Sequence, residues 1–330
     1  MAFNGRPCPQ GLSGRSRGCA TLCVVHRITA LLPDGVARRA DVARESSASS
    51  VVRWLRRGDL VQLHPGVLAL PDRTGEWAIR SRAASLWAGG PLSHLSALVA
   101  IGLAAPQAGP VHVMVPYARS PERRPDVVTH RTTRSLVTVR RGAVEAVEPV
   151  RSVVDAWAWA HSPGRNARSR QETAAVRQAL IEGVRRRDVH AGALRRESDR
   201  RSRHPGRRPF IELLDLVTGG CQSELEIWGT LSVLPGPPVV PAPVRQHELV
   251  LGDGRRVHLD AAWPQARVAV ELDGAAFHGS PEQRERDLRR DTALAALGWV
   301  VLRFSYARLM SDPEGCRREI VAVVLTRLVR

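Results

Sequence analysis

The residues best placed to do chemistry lie in a short acidic hairpin. Residues 255–263 and 267–273 read as strands, and Pro264-Gln265-Ala266-Arg267 between them reads as a tight turn. With Gln265 and Ala266 as its central residues, Trp263 faces Val268, Asp260 faces Glu271 and His258 faces Asp273. Strand alternation then puts Val257, Leu259, Ala261, Val268, Val270 and Leu272 on one apolar face. His258, Asp260, Glu271 and Asp273 share the other. Directly opposed strand side chains have Cβ atoms about 4.5–5.5 Å apart, so two carboxylates there repel unless a cation lies between them. Oxygen ligands suit Mg2+ or Mn2+, and Mg2+ keeps waters and accepts phosphate oxygens. The competing reading is a solvated acid face paired with arginines, which are abundant in this chain.

Several elements must position that hairpin. Glu224 and Glu226 precede it on a helix capped by Ser223. After it, Ser280-Pro281-Glu282-Gln283 reads as an N-cap, a first-turn proline and a capping box, and the helix stops at Gly298. That helix carries Arg284, Arg286, Arg289 and Arg290, a phosphate-facing set partly neutralised by Asp287 and Asp291. Trp299–Phe304 is an apolar strand with Arg303 turned towards the acids, and Glu314–Leu328 is a closing helix. The expected order is helix, strand, strand, helix, strand, helix, an α/β domain over residues 211–330.

This order, with the strings SELE, HLDAAWP, VAVELDG, FHG, ERDLRRDTALAALGW and VVLRFSYARL, resembles an uncharacterised family of endonuclease-like domains. That family is related to the very-short-patch mismatch-repair endonucleases, within the PD-(D/E)XK superfamily. The resemblance covers about residues 221–325 and implies a restriction-endonuclease-like fold. It implies Asp260 and Glu271 as metal-binding acids and Glu226, or else Glu224, as the helix acid. The superfamily's third-strand lysine falls at Asp273, and all 49 Lys and Arg residues of this chain are arginine. His278 lies where the mismatch-repair relatives have a histidine. The implied catalytic set is Asp260, Glu271, Asp273, His278 and Glu226. The implied chemistry is phosphodiester hydrolysis by metal-activated water, with His278 or Asp273 handling the proton. The departure at Asp273 leaves a purely binding domain open.

The composition bounds the partners. A net charge of +17 favours a polyanion, nucleic acid above all, although codon bias in a GC-rich genome also inflates arginine. A chain of 330 residues, 43% apolar, suggests two or three domains. No apolar run reaches membrane-span length, and the faint leader at Cys19–Leu32 is interrupted by His26 and Arg27, so the expected setting is cytoplasmic. Five scattered cysteines, with no second pair to match Cys19 and Cys23, read as free thiols.

Residues 1–24 read as disordered, with a true start near Val24 or Val25. Residues 25–71 read as a winged helix-turn-helix. Its helices are Val25–Leu32, Val36–Arg44 and Ser46–Arg57, and its strands Leu60–Leu63 and Val67–Leu70. Ser47, Ser49, Ser50 and Arg53 of the third helix would reach DNA, with Arg290 as a further contact. Residues 72–160 form an α+β unit in which His94, lacking an acid or nucleophile at a useful spacing, reads as structural. Residues 161–210 read as an arginine-rich, largely mobile connector. The strings RRGDLVQLHPGVLAL, LSHLSAL and VRSVVDA resemble the antitoxin half of type IV abortive-infection toxin–antitoxin systems, over roughly residues 26–160. That resemblance implies promoter binding through Ser46–Arg57 and admits a toxin or other protein partner. The expectation is an α/β multidomain protein: a DNA-binding, metal-dependent endonuclease or, alternatively, an antitoxin-like transcriptional regulator with an inactive nuclease domain.

Overall fold

The structure, a computed structural model, describes residues 28–163, 167–201, 203–221, 223–273 and 281–329. The segment expected to be disordered lies outside these residues. The chain divides into two compact units at Glu148/Pro149, with Ile101–Ala105 joining the second.

In the first unit, residues 28–31 are helical, followed by β1 (Val36–Arg38), α1 (Arg39–Glu45), α2 (Ala48–Arg57), β2 (Val61–His64) and β3 (Val67–Ala69). The helix expected over Val36–Arg44 is therefore wrong in its first turn. Gly35, at φ +76°, turns the chain, and β-branched Val36 pairs with Ala69 as an edge strand. The three strands form a sheet in the order β1-β3-β2. Val42, Val51, Trp54, Leu60 and Leu68 bury one face of the helices against it. Ser47 caps α2, its Oγ accepting from Ser50 N at 3.1 Å, and Gly58 in the left-handed region ends the helix. Ser47→Ala is expected to cost about 1 kcal/mol, read as a lower urea midpoint at unchanged slope.

Beyond this lie α3 (Trp77–Ala88), α4 (His94–Ala100), the parallel pair β4 (Val111–Pro116) and β5 (Val127–Thr132), and the antiparallel pair β6 (Thr138–Arg141) and β7 (Val144–Val147). Leu92 bridges to both Val113 and Ala146, which pins the start of α4 beside β4.

The second unit opens with α5 (Pro149–Ala160), α6 (Ala167–Arg185), α7 (Ala191–Asp199) and α8 (Arg207–Thr218). The mobile connector expected over 161–210 is thus mostly helical. Its arginines mask an apolar stripe: Val176, Ala179 and Leu180 recur at helical spacing and are buried, as are Leu194 and Phe210. α9 (Glu224–Ser232) leads into β8 (Val244–Val250), a strand not anticipated from the sequence. Then come β9 (Arg256–Trp263), β10 (Val268–Asp273), α10 (Pro281–Ala296), β11 (Val300–Ser305), α11 (Tyr306–Ser311) and α12 (Pro313–Leu328). The sheet order is β11-β10-β9-β8; β10 and β11 are parallel, which requires the α10 crossover, and the other pairs are antiparallel. No described helix is long and apolar enough to cross a membrane.

The expected hairpin register holds at Trp263↔Val268, Ala262↔Ala269 and Ala261↔Val270. It is not continued to Asp260↔Glu271 or His258↔Asp273 as a backbone ladder. The single apolar face also needs correction. Ala261, Trp263, Val268, Val270 and Leu272 pack with Ile320 and Val324 of α12. Leu259 and Val257 pack instead with Ala262, Ala269, Leu294 and Trp299. The alternation therefore slips at Asp260. The cause is local: the neighbouring Gln246 has φ +44°, and the β8–β9 register pairs pass over Gln246 and Asp260. The kink of β8 at Gln246 lies beside Asp260, where the apolar alternation of β9 changes face.

Candidate functional site

Three carboxylates gather where the sheet is kinked. Glu226 lies on α9, buried, with its N–H held by Ser223 Oγ at 3.1 Å. Gln246 of β8 bridges it to Asp260, its Nε2 donating at 3.2 Å to Glu226 Oε2 and at 3.2 Å to Asp260 Oδ1. The other oxygen, Asp260 Oδ2, accepts from Leu272 N at 3.1 Å, taking over a backbone donor where the ladder ends. Burial, then the charge of Glu226, then that of Glu271, push the Asp260 carboxyl up to about 6, against the hydrogen bonds from Leu272 and Gln246.

Glu271 is held differently. In the parallel register it lies opposite Arg303, whose Nε donates to Glu271 Oε2 at 2.8 Å. Arg290 Nη2 stands 2.6 Å from Glu271 Oε1, an ion pair without directed hydrogen-bond geometry, and the same nitrogen donates to His258 O at 3.0 Å. Arg303 is also gripped by both oxygens of Asp291 at 2.6 Å, which raises its proton affinity further. Arg245 adds a half-buried cation near Glu226 and Asp260; burial lowers its pKa and those acids oppose the shift.

The sequence-derived candidates divide accordingly. Asp260, Glu271 and Glu226 come together, as their mutual charge effects on Asp260 require. Glu224 does not join them: it is clamped by Arg177 Nε and Nη2 at 2.9 and 2.8 Å. His258 is exposed beside Glu248, 3.7 Å away. Asp273 ends β10 opposite Ser305, but its side chain and the whole of His278 lie outside the described residues. Arg290 faces Glu271 rather than solvent alone, and Arg289 pairs with Glu285 at 3.1 Å. Gln246 and Arg245 were missed because β8 was missed; the VRQHELV alternation was the available signal.

At the start of α2, Ser47 Oγ is taken up by Ser50 N and by the Ser49 and Ser50 hydroxyls, so its first role is the cap. Arg53 Nη2 reaches Ser50 Oγ at 3.3 Å. Ser49 and Arg53 line an open groove with Ala48, Val52, Arg56 and Arg57, a cationic helix face.

The donor chemistry of Glu226, Asp260 and Glu271 is all-oxygen and suits a hard divalent cation, and the raised proton affinity of Asp260 marks the charge such a cation would offset. The donor type suits the ion, and Asp260 and Glu226 are held together by the Gln246 bridge. Two points qualify the sequence expectation. Glu271 is shared with two arginines, and the acids do not form a ready-made trio. Among the described residues, the one group of three His, Cys, Asp or Glu ligand atoms all within 4.8 Å is His94, His112 and His130.

Comparison with known proteins gives a partial assignment. Two relatives from Mycobacterium tuberculosis, Uncharacterized protein MT2308 (strain CDC 1551 / Oshkosh) and Uncharacterized protein Rv2248 (strain ATCC 25618 / H37Rv), are each 30% identical over 100 residues, 29% of this chain. The chain spans 36% of the length of each. The crystal structure of RV2827C protein from Mycobacterium tuberculosis aligns at 21% identity and a TM-score of 0.38, over 58% of this chain and 75% of that one. Residues 244–324, the segment holding Gln246, Asp260, Glu271, Arg290 and Arg303, match the family model REase_MTES_1575, a restriction-endonuclease-like family.

Proposed function

We propose that this protein is a DNA-binding, divalent-metal-dependent endonuclease. The observation that carries the reading is the crowding of Asp260, inside the restriction-endonuclease-like segment, by Glu271 of that segment and by Glu226 of the preceding α9, which Gln246 bridges to it. Restriction-endonuclease-like domains generally use divalent metals. Asp260 and Glu271 would hold Mg2+ or Mn2+, which when bound offsets phosphate charge and lowers the pKa of a water. Glu226, through Gln246, fixes the orientation of Asp260. Arg290 and Arg303, now on Glu271, are the cations nearest to an incoming phosphate, and exchange of an arginine from carboxylate to phosphate conserves its charge-assisted hydrogen bonds. His278 or Asp273 remains the proposed proton carrier. The first unit would steer the enzyme: strand, helix, helix, strand, strand after an initial helical turn is the order of a winged helix, and the Ser49/Arg53/Arg56/Arg57 face of α2 supplies the basic groove-docking surface.

The deciding experiment is a cleavage screen on plasmid DNA, linear DNA and RNA with and without Mg2+ or Mn2+, beside Asp260→Ala. Metal-dependent nicking that falls about 10²–10³-fold in the variant is expected. No cleavage of any substrate with either metal overturns the reading.

A second reading rests on Glu271, whose carboxylate already has two arginine partners. In it the domain binds DNA without cutting, and the chain is an antitoxin-like regulator with a toxin or other protein partner. Operator binding with a steep salt slope, unchanged by Glu271→Ala and lost with Arg53→Ala, is its signature.

A further inference from the structure

In the first unit, far apart in sequence, three histidines meet. His112 lies on β4 and His130 on β5, where the parallel register sets His112 opposite Val128 and Met114 opposite His130. The two imidazoles therefore sit two positions apart on one face of adjacent strands, with His112 Nδ1 and His130 Nε2 3.0 Å apart. His94 opens α4 and is carried to the same place by its flanks. Ser93 N donates to His112 O at 2.9 Å, and His112 N donates to Ser96 Oγ at 2.9 Å. His94 and His130 stack with centroids 3.5 Å apart, and His94 and His112 lie at 5.5 Å. One ring nitrogen from each histidine lies within 4.8 Å of the other two. His94 and His112 are buried and His130 is half-buried.

We propose that His94, His112 and His130 form a binding site for a nitrogen-preferring transition-metal ion of the Zn2+ class, separate from the carboxylate site. Three neutral imidazoles are the donor set of three-histidine zinc centres, which leave a fourth position for water or a ligand. Zn–N bonds of about 2.0–2.1 Å at tetrahedral angles put ligand nitrogens about 3.3 Å apart, which the His112–His130 pair approaches at 3.0 Å, with His94 within 4.8 Å of both. The rings now lie within 36° of parallel, so their in-plane lone pairs do not yet meet. Rotation of the half-buried His130 ring unstacks it from His94 and turns its lone pair inward, exchanging a ring–ring contact for a metal bond. Two further features mark a built site. His94 sits at φ +51°, a strained backbone that aims its ring at the strands and that concentrates at ligand clamps. Ser93 Oγ lies 3.0 Å from His94 Nδ1, the kind of outer contact that fixes the tautomer of a metal-bound imidazole. Mg2+, an oxygen-seeking ion, has no place here.

The test uses the full-length chain carrying Asp260→Asn, so that the acid site is disabled, freed of metal by chelator dialysis and titrated with Co2+ and Zn2+ in excess Mg2+. One Co2+ per chain with the visible bands of tetrahedral coordination is expected, displaced by Zn2+. His130→Gln and His112→Gln, each with unchanged circular dichroism, are expected to lower affinity about 100-fold or more. Zinc-edge X-ray absorption on the Zn2+-loaded chain with all three histidines intact should show three imidazole nitrogens, which decides the matter if the variants misfold. Absence of Co2+ and Zn2+ binding, full binding by both histidine variants, or a sulfur shell from cysteine overturns the proposal.

Discussion

Asp260→Asn is expected to abolish metal-dependent cleavage and, at the same time, to make the metal-free protein more stable at neutral pH. The two effects share one cause. The Asp260 carboxyl, ordinarily near 3.8, is pushed up to about 6 by burial and by Glu226 and Glu271. A group whose folded pKa exceeds its unfolded value favours folding while protonated. Its contribution is therefore present below about pH 4 and is lost as pH rises towards 6 and above, by up to about 3 kcal/mol. Asparagine removes that slope. It also loses one of the two hydrogen bonds, since its amide cannot accept from both Gln246 Nε2 and Leu272 N, at about 1 kcal/mol. The net gain at pH 7 is about 2 kcal/mol, read from urea midpoints of metal-free protein at pH 5 and pH 8. Saturating Mn2+ should raise the midpoint of the Asp260 protein and leave that of the asparagine variant unchanged. A variant that is less stable at both pH values would mean that Asp260 is a structural acceptor and not a strained ligand.

Arg303→Met carries the second large effect, in the opposite direction. Arg303 is the shared partner of Glu271 and Asp291, at 2.6–2.8 Å. The Glu271 side chain is only 12% exposed, so removing the guanidinium leaves a mostly buried carboxylate with Arg290 alone. Breaking a fully buried pair costs about 3–5 kcal/mol; with Arg303 at 31% and Asp291 at 38% exposure, about 2 kcal/mol is expected here. Arg303→Met with Glu271→Gln should recover most of that loss, since the uncompensated charge is then gone. The same variant separates the two readings of the site. If Glu271 is a metal ligand held in reserve by its arginines, Mn2+ stabilises Arg303→Met more than the protein with Arg303. If Glu271 is only an ion-pair acceptor, Mn2+ raises the midpoint of Arg303→Met no more than that of the protein with Arg303.

These contrasts follow a physical division of labour. Local periodicity and turn chemistry in the sequence determined the hairpin and its register at Trp263↔Val268, the helix beginning at Pro281 and the cap at Ser223. Such features depend on residues a few positions apart, and alternation, caps and prolines write them directly into the chain. What the tertiary structure decided depends on residues brought together from separate elements. Arg290 and Arg303 claim Glu271 because α10 crosses over to place β11 parallel to β10. The apolar alternation of β9 changes face at Asp260, where β8, unread in the sequence, kinks beside it at Gln246. The arginine-rich stretch 161–210 folds into helices because a sparse apolar stripe finds a core, where composition alone suggested a chain in solvent. His94, read singly, had no chemistry; strand pairing supplied His112 and His130, because a parallel register and a left-handed turn are properties of the folded chain and not of any short string within it.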